Sequence, residues 1–287
     1  MPAQLIALFT AIFYASALVS ARRGLKYSTP ITVTCVSVIV QTVTLWTAIF
    51  LTGGIPEVSP IAVLLFLFVG MTQLGVRLLA FTGVHKIGAS RSSSLQAASP
   101  LIAAMIAIAI LHEKPSLTVV VGTLLVVIGI ILVSWRPERQ IPTFRWWHLL
   151  LPICAAVLTG INHPIRRYAL SLSNESLFFA AIMGSASLAG FVGYLILSPI
   201  NEPLVWNRRA VWPFIMTGLF ETLSILFIVT ALSLGTVVVV APIASTYPVW
   251  ALIGTVVFLR DLEQVKLLTI MGSLIVVTGT IAIHLGN

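Results

Sequence analysis

The chain has 287 residues, of which 59% are apolar and only 8% charged, and its mean hydropathy is +1.08. A soluble domain carries about 25% charged residues, so these apolar side chains have no water-soluble core to fill and the chain is read as an all-α membrane protein. The net charge of +8 would suggest a nucleic-acid partner in a soluble protein, but here Lys and Arg fall mostly in short connections between apolar runs, and no nucleic acid is implied.

Ten apolar runs are long enough to cross about 30 Å of hydrocarbon as helices: residues 3–21, 31–52, 60–82, 90–111, 116–134, 147–166, 176–197, 211–232, 237–259 and 265–285. Lipid satisfies no open backbone groups, which leaves helices or a closed β-barrel, and a barrel would show an alternating polarity that these runs lack. No room remains for a soluble domain. The expected location is the bacterial inner membrane, crossed many times, with the bilayer as a partner.

In span one, Ala15-Ser16-Ala17 resembles a signal-cleavage site, but Met1-Pro2-Ala3-Gln4 lacks the positive region such a signal needs. The segment Tyr14 to Arg23 also matches Leu158 to Arg167 later in the chain, so it is kept as a span. Cys35 in span two and Cys154 in span six lie in apolar helices and suggest packing, with no disulfide.

An ionised group at the bilayer centre costs roughly 3 kcal/mol, so charges within spans are the best guide to a site. Arg77 in span three has Gln73 one turn earlier on the same face. Its long stem can snorkel toward the side of Lys86, or its guanidinium can give a fork to a substrate carboxylate or phosphate. Span four carries a polar patch from Arg91 through Ser92, Ser93, Ser94 and Gln96 to Ser99, just before Pro100. A proline about ten residues into a span weakens one helical turn and permits a hinge. Glu113 follows span four and is expected to cap the next helix, where an acid meets the positive dipole end. Span five has Gly122 and Gly129 on one face, suited to close packing or to a homodimer.

The linker 136–146, with Pro137, Pro142 and mixed charges, divides the chain into residues 1–135 and 147–287. Other connections are so short that neighbouring helices are expected to pack as antiparallel hairpins. Near the end of span six, Asn162 and His163 precede Pro164 and suggest a solvated gate. In span eight Glu221 lies far from both interfaces, with Thr217 and Ser224 on its face. It can contact a substrate amine, carry a coupling proton, or pair with Arg77 as an ion pair that binds nothing. In span nine Ser245, Thr246, Tyr247 and Trp250 surround Pro248, and an aromatic pair beside hydroxyls suits an organic solute. Any one hydroxyl can instead bond its own helix. Span ten repeats the glycines as Gly272 and Gly279.

These features recur. Gly88, Pro100, His112-Glu113, Gly122 and Gly129 return as Gly235, Pro248, Arg260-Asp261, Gly272 and Gly279. Each half carries five spans, an odd number, so the second half enters the bilayer from the opposite side, giving two inverted five-helix repeats and ten transmembrane helices. Numbering connections by the helices they join, the odd ones hold twelve Lys and Arg residues and the even ones three, namely Lys114, Arg166 and Arg167. The positive-inside rule then puts the odd connections in the cytoplasm and both termini outside.

The run Ala89-Ser90 to Ser94-Leu95, Ser99-Pro100, Leu111-His112-Glu113-Lys114-Pro115-Ser116-Leu117, Gly122 and Gly129 resembles the EamA domain of the drug/metabolite transporter superfamily. The second copy fits with Asp261 in place of the usual Glu. The resemblance implies a ten-helix transporter with a central cavity for amino acids, metabolites or drugs. It also implies cytoplasmic termini, against the charge count.

The expected function is therefore secondary transport of a small organic metabolite, amino acid-like or an organic anion, by alternating access. Its substrate-binding candidates are Arg77, Gln73, Glu221, Ser99, Tyr247 and Trp250, its hinges Pro100 and Pro248, and its gate Asn162 and His163. A flippase-like lipid handler is the alternative and needs a lateral opening with a wide apolar cavity. An enzyme is not expected: the eight acids are scattered, and there is no metal-ligand spacing, phosphate loop, nucleophile motif or cofactor motif.

Overall fold

A computed structural model describes residues 3–87, 95–96, 98–134, 145–197, 204–258 and 267–286. Among these residues the chain is helical, without strands. The first repeat contains α1 (Ala3–Gly24), α2 (Pro30–Thr52), α3 (Pro60–Ile87), α4 (Ser99–Ile110) and α5 (Leu117–Ser134). A 3₁₀ turn, Trp146–Leu149, opens the second repeat. It continues with α6 (Leu150–Leu172), α7 (Ser176–Leu197), α8 (Arg208–Leu234), α9 (Val237–Ala244), α10 (Tyr247–Phe258) and α11 (Leu267–Leu285). Six helices, α1, α2, α3, α6, α7 and α8, are long and apolar enough to cross a membrane, and the remaining apolar helices are shorter. The linker expected at 136–146, the Arg91 to Ser94 patch and the Arg260-Asp261 turn lie outside the described residues, apart from the linker's last two.

The ninth apolar run is two helices rather than one. Pro248 has no N–H to donate to the carbonyl four residues back, and its ring clashes with that carbonyl. The chain therefore turns at Ser245 and Thr246, where Thr246 N–H donates to Ile243 at 3.1 Å and Val249 N–H donates to Thr246 at 3.0 Å. The first repeat uses the same pattern. There Ala98 N–H donates to Leu95 at 3.4 Å and Leu101 N–H donates to Ala98 at 3.1 Å. Pro100 and Pro248 accordingly sit in the first turn of α4 and α10, a position that tolerates a missing N–H. They are not kinks within continuous helices.

Hairpin packing is not what organises the bundle. Short loops fix the relative direction of neighbours and leave each apolar face free to choose its partner, and here the chief partners lie in the other repeat. Helix α1 packs on α8 as α6 packs on α3, and α2 on α8 as α7 on α3; α2 also meets α7, and α5 meets α11. Exchanging the repeats maps this set of contacts onto itself. Phe13 stacks on Phe227 across α1 and α8 at 5.4 Å, and Phe66 on Phe179 across α3 and α7 at 4.4 Å.

Glycines fix the register of the exchange. A methyl group at Gly122 would lie 2.7 Å from the Gly279 carbonyl, and one at Gly129 would lie 2.7 Å from the Gly272 carbonyl. Helices α5 and α11 thus cross antiparallel at equivalent positions, as an inverted repeat requires. These glycines are used inside the chain and offer no face to a homodimer. In α3 a methyl at Gly70 would meet Met183 and Ala186, while in α8 one at Gly218 would meet Ser37 and Val40. The two partner pairs are themselves counterparts in α7 and α2, so Gly70 and Gly218 occupy equivalent positions.

Glu113 caps a helix, but not the one that follows it. Its Oε1 accepts from Val237 N–H at 2.9 Å and its Oε2 from Val238 N–H at 3.0 Å, so it closes the N-terminus of α9 in the other repeat. The physics is the expected one, an anion at a positive dipole end. Sequence adjacency simply does not identify the helix.

Candidate functional site

The helix breaks and the inter-repeat packing leave a cavity between the repeats, about 850 Å³ when counted to its mouth. Its wall draws on both repeats: Thr10 and Tyr14 from α1, Gln73 and Arg77 from α3, His163 and Arg166 from α6, and Glu221 and Ser224 from α8. The two breaks contribute Gln96 and Ser99 on one side and Ser245 and Tyr247 on the other. Residues one turn apart on a helix share a face, which is why each helix supplies its polar side chains in pairs.

Arg77 does not snorkel. Its side chain is buried, and its Nη2 lies 3.3 Å from Glu221 Oε2 and donates to Gln41 Oε1 at 3.0 Å. Arg77 and Glu221, on equivalent helices of the two repeats, thus form an internal ion pair in the cavity wall. Gln73, one turn before Arg77 on the same face, meets a different arginine: its Oε1 accepts from Arg166 Nη2 at 2.8 Å.

Ser99 and Tyr247 also reach the wall, and Tyr247 meets Tyr14 edge-on with ring centroids 4.8 Å apart. Trp250 is half-buried and outside the cavity lining. Asn162 and His163 are buried, not at a solvated interface, because α6 continues through Pro164 to Leu172. Asn162 Oδ1 accepts from Thr72 at 2.7 Å, and His163 lines the cavity.

Thr10, Tyr14, Thr159 and Arg166 are among the wall residues that escape sequence reasoning. Tyr14 and Thr10 are ordinary residues of an apolar helix, and nothing in their spacing points inward. Arg166 reads as a connection charge because Pro164 suggests that the helix stops. Its signal is its position three residues after His163, on the same helical face. Of the Arg166-Arg167 pair only Arg167 serves a connection, donating to the Leu232 and Ser233 carbonyls at the end of α8. Arg166 is buried in the cavity wall with its Nε unpartnered, and among the described residues no carboxylate pairs with it. Two guanidinium groups and one carboxylate leave the described wall with one positive charge in excess.

The EamA-like transporter family model matches residues 1–135 and again 145–285. No curated protein matches the sequence at a significant level. A solved crystal structure of a protein is 16% identical in sequence with a TM-score of 0.81, covering 99% of this chain and 96% of that one, which shows a shared fold.

Proposed function

Because the chain belongs to the EamA-like transporter family, a family of membrane transporters, we propose that it moves a small organic metabolite, amino acid-like or an organic anion, across the membrane by alternating access. In this reading ten spans form two inverted repeats that rock against each other around the cavity, as in other inverted-repeat transporters. The observation that carries it is the buried polar cavity at the repeat interface, whose wall joins charged side chains of α3, α6 and α8 with an aromatic pair.

Gln73, Arg77, Ser99, Glu221 and Tyr247 are proposed to meet the substrate, together with His163 and Arg166. Glu221 is the one carboxylate in the described wall, so a proton-coupled cycle would load its proton there. Pro100 and Pro248, each opening a half-helix beside the cavity, are the proposed hinges: they deny α4 and α10 the hydrogen bonds that would join them to the preceding segment. The charged wall suits a polar solute better than lipid tails, which disfavours a flippase.

The test is uptake of labelled organic acids, amino acids and amines into proteoliposomes, with and without a proton gradient. Accumulation of at least one solute above protein-free liposomes, slowed when both prolines are replaced by Ala, is expected. No accumulation of any solute class in either direction would contradict the proposal.

A further inference from the structure

Repeat symmetry exposes a mismatch in the cavity. Gly70 in α3 and Gly218 in α8 are equivalent by the contacts they make. Three residues further along each helix stand Gln73 and Glu221, so these two side chains occupy the same place in the two repeats. Each meets an arginine: Glu221 lies 3.3 Å from Arg77 Nη2, and Gln73 accepts from Arg166 Nη2 at 2.8 Å. One arginine has a counter-charge and the other has only a neutral amide.

A buried cation is tolerated when it is paired or when it faces a site that a ligand fills. Arg166 is 4% exposed, lines the cavity and keeps its Nε without a partner. One helical turn away on the same face, His163 Nδ1 also lacks a partner. The wall also carries hydroxyl side chains, among them Ser99 and Thr159, beside apolar and aromatic ones that include Val76, Ala156, Ile225, Ile228 and the Tyr14–Tyr247 pair.

We propose that Arg166 is the anchor for the substrate's anionic group, and that the substrate is a singly charged organic anion, a monocarboxylate with an apolar body. Gln73 sets this specificity by withholding the carboxylate that its counterpart Glu221 supplies to Arg77. A singly charged anion brings the described wall to electrical balance. A cation adds to the excess charge, and a zwitterion, with no net charge, leaves it unbalanced; the one carboxylate that could meet its ammonium, Glu221, already lies 3.3 Å from Arg77 Nη2. This inference rests on the transport reading of the same cavity.

The probes are four molecules of one shape and different charge: 3-phenylpropionate, phenylalanine, phenethylamine and 3-phenylpropanol. Binding to purified full-length protein in detergent is measured by calorimetry. The anion is expected to bind at least about tenfold more tightly than the other three, since charge-assisted hydrogen bonds are the strong ones. Gln73→Glu keeps the shape of the side chain and places a carboxylate on Arg166. It should raise the melting temperature or leave it unchanged while weakening 3-phenylpropionate binding at least about tenfold. Arg166→Gln should weaken it comparably and Arg166→Lys should restore part of the loss.

Tighter binding of phenylalanine or phenethylamine, unchanged anion binding in Gln73→Glu, or no binding of the anion to the wild-type protein would each overturn the proposal. Should Gln73→Glu fail to fold, equal affinities of wild-type protein and Arg166→Gln for the anion would overturn it as well. Solute accumulation in proteoliposomes alongside any of these results would leave the transport reading standing. Absence of accumulation for every solute would instead sink that reading.

Discussion

Replacing the Arg77–Glu221 pair with apolar residues separates an internal brace from a charge that merely happens to lie in the bilayer. At 3.3 Å the Coulomb attraction is about 5 kcal/mol at an effective dielectric of about 20. Desolvation of two buried ions offsets most of this, so the pair adds little net stability compared with apolar residues of similar size. Removing one partner is a different matter. Glu221→Leu leaves Arg77 buried with the neutral Gln41 amide in place of a counter-charge, and Arg77→Met leaves a lone buried carboxylate. Each single change should cost about 3–5 kcal/mol. At about 2–4 °C per kcal/mol for a chain of this size, that corresponds to a fall in melting temperature of about 10 °C. The double substitution should return to within about 1 kcal/mol of wild type, giving a coupling of several kcal/mol in the double-mutant cycle. The assay is fluorescence-detected unfolding in detergent at one fixed scan rate, because irreversible unfolding makes the midpoint depend on scan rate. Additive losses, with the double variant as low as the sum of the singles, would refute the pairing.

Other parts of the fold give further expectations. Glu113→Gln removes the charge and one of two acceptors at the start of α9, so hydrogen exchange at the Val237 and Val238 amides should accelerate by about tenfold or more; equal rates would show that the cap is dispensable. Gly129→Val forces a branched side chain against the Gly272 carbonyl, where even a methyl group would lie only 2.7 Å away, and should destabilise the chain by about 1–3 kcal/mol in the same melting assay. An unchanged melting temperature would mean that α5 and α11 can separate freely. The positive-inside count predicts external termini, hence an active C-terminal alkaline phosphatase fusion and a dark green fluorescent fusion; a bright fluorescent fusion would reverse the orientation.

Charge in apolar helices makes part of the site legible from sequence. Arg77 and Glu221 are visible because ions are expensive in lipid, and their location on equivalent helices points to one shared cavity. Gln73, Ser99 and Tyr247 follow from their neighbours. Arg166 is hidden by Pro164, since a proline near the end of an apolar run reads as a helix stop, whereas in the bundle neighbouring helices let α6 continue past it. Spacing puts Gln73 on the face of Arg77 but does not reveal its contact with Arg166, for a related reason: it tells which residues share a face, not which helix that face meets. The same limit applies to Glu113 and to the glycines of α5. Their chemistry, an N-terminal cap and close packing, is readable, but their partners in α9 and α11 depend on how the repeats interlock.

The central claim is that the cavity between the repeats opens to the two sides of the membrane in turn. Ser245, half-buried in the cavity wall at the break between α9 and α10, provides the most direct probe. In a chain whose Cys35 and Cys154 are replaced by Ser, Ser245→Cys in sealed vesicles of both orientations is exposed to a membrane-impermeant thiol reagent. Alternating access predicts labelling from either side and protection by transported solute; labelling confined to one side under every condition would contradict it.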